Sequence, residues 1–121
     1  MKLKNNPLQN KSYDLALLIV KLCKQIMHDK KEYILSKQLL RSGTSVGANI
    51  VEANGAISKA DFSAKMSISH KESLESKYWL HLLRDSGYIS GNDFDNLFNK
   101  VDEISKILFS ILKTTRINNK K

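Results

Sequence analysis

A cluster of small residues inside an otherwise helical stretch is the feature that most constrains this chain. Residues 38–56, QLLRSGTSVGANIVEANGA, have the apolar spacing of a helix, yet they include Gly43 and Gly47 one turn apart, with serines beside them. Each glycine costs about 1 kcal/mol relative to alanine inside a helix. Such glycines are typical of a backbone that another group approaches closely. That group can be a helix, a subunit or a phosphate, and the sequence favours a helix.

The rest of the composition favours an all-helical protein. A single Pro and five Gly among 121 residues are few turn residues for a β fold. The lone Cys23 excludes an intrachain disulfide and a cysteine zinc site, and it is typical of a reducing cytoplasm. No apolar run approaches the ~18 residues that span a bilayer. We therefore expect a cytoplasmic protein with no membrane partner.

Apolar periodicity predicts four helices, over residues 10–27, 33–54, 58–86 and 91–114, followed by a basic C-terminal tail at 115–121. Ser58 is expected to cap the third helix, and Asn54-Gly55 predicts a left-handed C-cap for the second. Short connections make successive helices antiparallel neighbours. The sequence therefore predicts an all-α, antiparallel up-down-up-down four-helix bundle, with residues 1–121 forming a single domain.

The segment from Gly43 to Gly47 matches G-x-S-x-G, the nucleophile elbow of α/β-hydrolases. That chemistry needs a strand before the serine, whereas the surrounding pattern here is helical. A phosphate loop is excluded because no Gly-Lys-Ser/Thr follows the glycines. We therefore expect no enzyme, with no catalytic, cofactor-binding or metal residues. The favoured interpretation is a flat strip that packs on a row of serines in the third helix; the strip is Ser42, Gly43, Ser45 and Gly47, and the row is Ser69, Ser73 and Ser76.

Two carboxylates, Glu72 and Glu75, share a largely apolar face of the third helix with Trp79. An antiparallel register centred on the turn between the second and third helices places Arg41 level with Glu72, and Lys37 level with Glu75. A general acid/base pair or half of a di-metal site is the alternative, but di-metal bundles need Glu-x-x-His, which is missing here. We expect ion pairs that fix helix register or a subunit contact.

Twenty Lys and Arg against twelve acidic residues give a net charge of +8, which favours polyanionic partners such as RNA, DNA or acidic protein surfaces. Charge that only maintains solubility is the alternative. Five residues form a basic stripe on the side of the third helix opposite Trp79, and two more lie near the C-terminus. The candidate nucleic-acid contacts are Lys59, His70, Lys77, His81 and Arg84 (the basic stripe), with Lys113 and Arg116.

Three motifs together resemble a known family. QLLRSGTSVGANIVEA, then SKADF, then KESLESKYWLHLL, over about residues 35–83, are similar to the bacterial four-helix-bundle family encoded in intervening sequences of 23S rRNA genes, also labelled S23 ribosomal protein. The resemblance implies a bundle that assembles into a closed homo-oligomeric ring, a pentamer. It also implies kinship with the accessory variability proteins of diversity-generating retroelements, which bind nucleic acid and a reverse transcriptase. The family has no known catalytic residues, and Asn49 and Glu52 of its motif are interpreted as helix-contact residues.

Two functions remain open at this point. The first is a non-catalytic, oligomeric RNA- or DNA-binding scaffold of the rRNA intervening-sequence type, in which a ring multiplies weak contacts. The second is a protein-interaction adaptor, such as an accessory subunit for a reverse transcriptase or another polymerase. No cofactor is expected in either. The candidate residues for helix or subunit contacts are Lys37, Arg41, Gly43, Gly47, Asn49, Glu52, Glu72, Glu75 and Trp79.

Overall fold

The structure is a computed structural model that describes residue 3 and residues 5–119, with side chains described as far as Arg116. These residues form four helices and no strand: α1 (Pro7–Lys30), α2 (Ile34–Asn54), α3 (Lys59–Asp85) and α4 (Gly91–Asn119). Successive helices are antiparallel neighbours, and α1 also contacts α4. The predicted all-helical four-helix bundle is confirmed. No helix within the described residues has the length and hydropathy needed to cross a membrane.

Both ends of the first helix and the end of the last helix differ from the prediction. α1 was expected over residues 10–27 and covers Pro7–Lys30, so the segment from His28 to Lys30, expected as a connection, is helical. α1 begins at Pro7, because proline suits the first helical turn and the Asn6 side chain accepts a hydrogen bond from the Gln9 N–H at 3.1 Å. α4 continues to Asn119, so the predicted tail was wrong for residues 115–119. The rest of that tail, residues 120–121, lies outside the described residues.

Of the two predicted helix caps, one is confirmed and the other was wrong. The Ser58 hydroxyl accepts a hydrogen bond from the Asp61 N–H at 3.0 Å, so Ser58 caps α3 as predicted. Gly55 has a φ of −101° and is not left-handed, so that predicted C-cap was wrong. The glycine that uses a positive φ is Gly87, at +81°, just beyond α3. There the N–H of Tyr88 donates to the Leu83 carbonyl at 2.8 Å and closes the end of the helix.

The core is a continuous column of aliphatic side chains contributed by all four helices. Its largest fully buried members are Leu15, Ile19, Leu39, Ile50, Leu80, Leu83, Ile104 and Leu108. Cys23 is buried beside them, and this burial raises the pKa of its thiol to about 12. The thiol is therefore neutral, and its Sγ donates to the Ser36 carbonyl oxygen at 3.3 Å.

The serines of α2 and α3 meet at the interface between these two helices, as predicted. The Ser42 and Ser76 hydroxyls lie 2.8 Å apart, and the Ser69 hydroxyl donates to the Val46 carbonyl oxygen at 2.7 Å. All three serines are fully buried. Each therefore needs its hydrogen bond, because a buried hydroxyl without a partner is destabilising. These bonds hold α2 and α3 close together in a single register.

The glycines of α2 contact a different helix from the one predicted. A Cβ at Gly43 would overlap the Cδ1 atom of Ile19 in α1, and a Cβ at Gly47 would lie 3.1 Å from the Ser12 hydroxyl of α1. The expected packing of both glycines on α3 was therefore wrong. The small residues of the predicted strip therefore have different neighbours: Ser42 contacts α3, the two glycines contact α1, and the Ser45 hydroxyl bonds within α2.

Glu32, in the connection before α2, caps that helix. Its carboxylate accepts hydrogen bonds from the N–H groups of Ile34, Leu35 and Ser36 at 2.8–2.9 Å, and from the Ser36 hydroxyl at 2.8 Å. Desolvation opposes the charged form, but these hydrogen bonds outweigh it and lower the pKa of Glu32 below its ordinary value of 4.5. The start of α2 is thus stabilised by a charged group that precedes it.

We expect Glu32→Gln to lower the free energy of unfolding by about 1 kcal/mol near neutral pH, the usual size of a helix cap. Because the folded-state pKa of Glu32 is lowered, its contribution is complete above the unfolded pKa and is lost as the pH falls through the folded pKa. Urea titrations of both proteins from neutral pH to about pH 3 measure this difference. A difference that stays constant over that range would contradict the assignment.

Candidate nucleic-acid interface

The middle of the basic stripe is occupied by contacts within the bundle. Lys77 donates to Asp102 of α4 at 2.7 Å, and its Nζ lies 5.5 Å from the centre of the Phe98 ring. Lys106 reaches the same carboxylate at 2.9 Å. Hydrogen bonds first from Lys77 and then from Lys106 lower the pKa of Asp102. Lys77 is therefore already engaged in an ion pair, with a carboxylate that it shares with Lys106.

The C-terminal part of the stripe also packs against α4. The His81 ring lies 5.0 Å and 5.2 Å from the rings of Phe94 and Phe98, measured between ring centres. The Arg84 guanidinium lies 4.1 Å from the centre of the Phe94 ring and pairs with Asp85 at 3.0 Å. The stripe is therefore not one free basic face, since these residues join α3 to α4.

Three of the candidate residues form a different group, which we call the basic end: Lys59, Lys113 and Arg116. All three are exposed, and none has a carboxylate partner among the described residues. Lys59 begins α3, and the other two lie on the last turns of α4, which is antiparallel to α3. Burial, then the positive charges of Lys77 and Arg116, lower the pKa of His70 on α3. The positive charge of Arg116 on α4 therefore acts on His70 of α3.

The start of α1 and the end of α2 lie at this same end of the bundle. The Asn54 side-chain amide, at the end of α2, donates to the Gln9 amide oxygen near the start of α1 at 2.8 Å. Four further lysines, Lys2, Lys4, Lys120 and Lys121, are outside the described residues. These four lysines amount to half of the net charge of +8, because the described residues include the other sixteen basic residues and all twelve acidic ones.

A cavity of about 520 Å³ opens at the basic end, between the turn that joins α2 to α3 and the end of α4. Ile57, at its edge, is 95% exposed, which is unusual for an isoleucine. The lining residues are Ala53, Asn54, Ala56, Ile57, Ser58, Lys59, Phe62 and Thr115. This cavity was not predicted from the sequence, in which the one available signal is the apolar pair Ala56-Ile57 inside a predicted turn.

The predicted ion pairs between α2 and α3 are partly present. Arg41 pairs with Glu72 at 3.1 Å and also with Glu75. The hydrogen bond that Arg41 donates to Glu75 is the largest cause that raises the pKa of its guanidinium. The expected Lys37–Glu75 pair was wrong: within the described residues Lys37 has no ion pair, because Arg41 reaches both carboxylates from between them.

We expect Arg41→Ala to lower the free energy of unfolding by about 1 kcal/mol, since it leaves two neighbouring carboxylates without their shared cation. Glu72 is the more buried of the two, with 20% of its side chain exposed. Thermal unfolding and light scattering of the variant test this, with Lys37→Ala as the control that removes an equal charge. An unchanged melting temperature and mass for Arg41→Ala would rule out the ion-pair explanation.

The remaining contact candidates have separate local roles. Glu52 pairs with Lys65 of α3 at 3.5 Å, while the Asn49 amide donates to the Ser45 carbonyl oxygen within α2 at 2.8 Å. Trp79 is partly buried, its ring lies edge-on to Tyr78 with 5.2 Å between ring centres, and its indole N–H has no hydrogen-bond partner among the described residues.

Ser45 lies within α2, where its hydroxyl donates to the Arg41 carbonyl oxygen at 2.7 Å. No strand precedes it in the described residues, so the segment does not have the geometry of a nucleophile elbow. Nor do three His, Cys, Asp or Glu side chains converge to form a metal site anywhere in the described part of the chain.

Comparison with known proteins agrees with the bundle. The profile of a family described as 23S rRNA-intervening sequence protein matches residues 4–110. A similar solved structure, at 1.70 Å resolution, is a protein of unknown function from the S23 ribosomal protein family of Bacteroides thetaiotaomicron VPI-5482. It is 46% identical with a TM-score of 0.86, over 88% of this chain and 98% of that one. No curated protein matches the sequence.

Proposed function

We propose that this chain, which belongs to the 23S rRNA-intervening sequence protein family, is a non-catalytic, oligomeric scaffold that binds nucleic acid, with structured RNA as its first candidate. The family name supports RNA as the partner. The proposed contact is the basic end, and the proposed assembly is a closed ring, a pentamer, which repeats that end in every subunit.

The separation of paired from unpaired cations is the observation that most supports this proposal. Lys77 and Arg84 already pair with Asp102 and Asp85, so a phosphate would compete with a bond already formed. Lys59 and Arg116 have no such bond within the described residues. A phosphate that contacts them gains a full charge interaction and releases counterions from the nucleic acid.

The salt dependence of binding tests the proposal. A fluorescent RNA hairpin is titrated with the protein at several salt concentrations, and the logarithm of the association constant is plotted against that of the salt concentration. Each phosphate contact adds about 0.7 to 0.9 to the steepness of that line. We expect at least three contacts per subunit. No binding at low salt, or a line with zero slope, would reject the proposal.

Two different apolar faces support the proposed ring. An apolar hollow of about 270 Å³ lies between α1 and α2 and is lined by the exposed Val51 and by Ala16. Leu17, which follows Ala16 in α1, is 53% exposed. On α3, Ile68 and Tyr78 are exposed as well. A contact between unlike faces is heterologous, and a heterologous contact whose rotation closes produces a ring. Each copy of the basic end then adds its affinity to that of the others.

We expect Leu17→Lys to lower the assembled mass, because it replaces an exposed apolar side chain of the proposed contact by a charge, while the exposed position keeps folding intact. Light scattering after size-exclusion chromatography measures this effect. Ile34→Lys is the matched control, since Ile34 is exposed at the start of α2, away from the hollow. A wild-type protein that stays monomeric at high concentration would refute the ring.

An adaptor role, such as an accessory subunit for a reverse transcriptase, is the second candidate. It is favoured by Leu74 of α3 and Phe109 of α4, two exposed apolar side chains on the outer side of the bundle. The Phe109 ring lies 6.1 Å from the His70 ring, which joins the two helices at this point. Substitution of both by serine should weaken a protein complex and leave RNA affinity unchanged if this role is correct.

A further inference from the structure

We propose that the cavity at the basic end binds one unpaired nucleotide of a folded RNA, with its base inside the cavity and its phosphates on the surrounding cations. This inference rests on the proposed function and names the feature of RNA that the site recognises. At about 520 Å³ the cavity is within the range of roughly 300–1,000 Å³ that small-molecule sites occupy.

The walls of the cavity suit the faces of a base. Ala53 is buried beneath it, while Ala56 and the half-buried Phe62 line it. Ile57 at its edge is almost fully exposed, so an apolar ligand would cover a side chain that water now surrounds. Flat rings stack on such aromatic and aliphatic groups regardless of base identity.

The rim of the cavity suits the polar edge of a base. The Asn54 amide nitrogen donates to Gln9, which leaves its carbonyl oxygen to accept a further hydrogen bond. The Thr115 hydroxyl donates to the Ile111 carbonyl oxygen at 2.8 Å, and its lone pairs remain to accept a bond from an exocyclic amine. Both groups line the same cavity.

The charge around the cavity suits the phosphates on each side of that base. Lys59 lines the cavity. Arg116 does not line it, but it is on the same turn of α4 as the lining residue Thr115, about 100° further round the helix. Neither has a carboxylate partner within the described residues. In a duplex the base faces are stacked and out of reach, so an apolar cavity edged by cations matches a bulged or looped nucleotide.

Three RNA hairpins that differ at one position test the inference by fluorescence anisotropy. The first has a single bulged uridine, the second has a fully paired stem, and the third has an abasic nucleotide at the bulge. We expect the first to bind about tenfold more tightly than the other two, the usual size of one base stack. Ala56→Phe, which fills the cavity, should remove this preference and leave affinity for the paired stem unchanged.

Two further variants make the result decisive. Ile57→Ser changes a side chain exposed to solvent, so it should reduce the preference without affecting thermal unfolding. Lys59→Ala should weaken all three hairpins by the same factor. Equal affinity of the wild-type protein for all three hairpins would overturn the inference and leave the proposed function intact.

The other outcomes are also distinguishable. Absence of binding to every hairpin at low salt would reject the proposed function and this inference with it. If Ala56→Phe changes the mass measured by light scattering and leaves the bulge preference unchanged, a second copy of the chain covers the cavity. That result would overturn the inference as well.

Discussion

Replacing Gly43 with leucine is expected to lower the free energy of unfolding by about 3 kcal/mol, at the upper end of the usual effect of overpacking a core. A Cβ on Gly43 would overlap the Cδ1 atom of Ile19 and lie 3.2 Å from its Cγ2 atom. Ile19 has no exposed surface, so its side chain has no space into which it can move. Urea unfolding measures the loss, and an unchanged midpoint would refute the close contact between α1 and α2.

A double-mutant cycle identifies the cause of that loss. Ile19→Val removes the Cδ1 atom that a Cβ at Gly43 would overlap. Gly43→Ala should therefore be less destabilising in the Ile19→Val background, with a coupling of about 1 kcal/mol. Gly47→Ala is the matched control. Its added Cβ would lie 3.1 Å from the Ser12 hydroxyl, and the gain in helix propensity offsets that contact, so we expect little change in stability. Additive effects of Gly43→Ala and Ile19→Val would contradict this explanation.

Removing the three cations of the basic end together should weaken RNA binding on the order of several hundredfold at about 0.1 M salt, because each lost phosphate contact also ends a counterion release. The triple variant is Lys59→Ala, Lys113→Ala and Arg116→Ala. When the logarithm of its association constant is plotted against that of the salt concentration, the slope should be shallower than the wild-type slope by about 2 to 3. All three side chains are exposed, so folding should be unaffected.

A second triple variant separates position from total charge. Lys21, Lys24 and Lys37 are exposed, lie in the halves of α1 and α2 away from the basic end, and can be changed to alanine for the same loss of charge. We expect this control to bind RNA with nearly wild-type affinity. An equal loss in both triple variants would mean that binding follows net charge alone and that the basic end is not the site.

The number and type of the helices could be predicted because apolar spacing depends on local geometry alone. The neighbours of the small residues could not. Ser42 and Gly43 are adjacent in sequence but 100° apart around α2, so one faces α3 and the other faces α1. Helical periodicity shows that both lie near a contact, and only the order of the packed helices decides which contact each one makes.

The contacts of the candidate site could not be predicted either, because they join helices that are distant in sequence. The sequence identified Lys77 as basic and on one face of its helix, but the carboxylate that balances it is Asp102 on α4. That pair depends on the register between α3 and α4, which the conformation of the intervening connection sets. The predicted ion pair of Lys37 was wrong for a related reason. The register between α2 and α3 differs from the predicted one by about one turn, so Arg41 reaches both Glu72 and Glu75.

The position of the helix ends has a practical consequence for any binding assay. α1 begins and α4 ends at the same end of the bundle as Lys59 and Arg116, so an affinity tag fused directly before α1 or directly after α4 adds its own bulk and charge at the surface to be measured. The connection at residues 86–90 lies a full α3 length away, about 40 Å at 1.5 Å per residue. Immobilisation through that connection leaves the basic end of every molecule facing the solution.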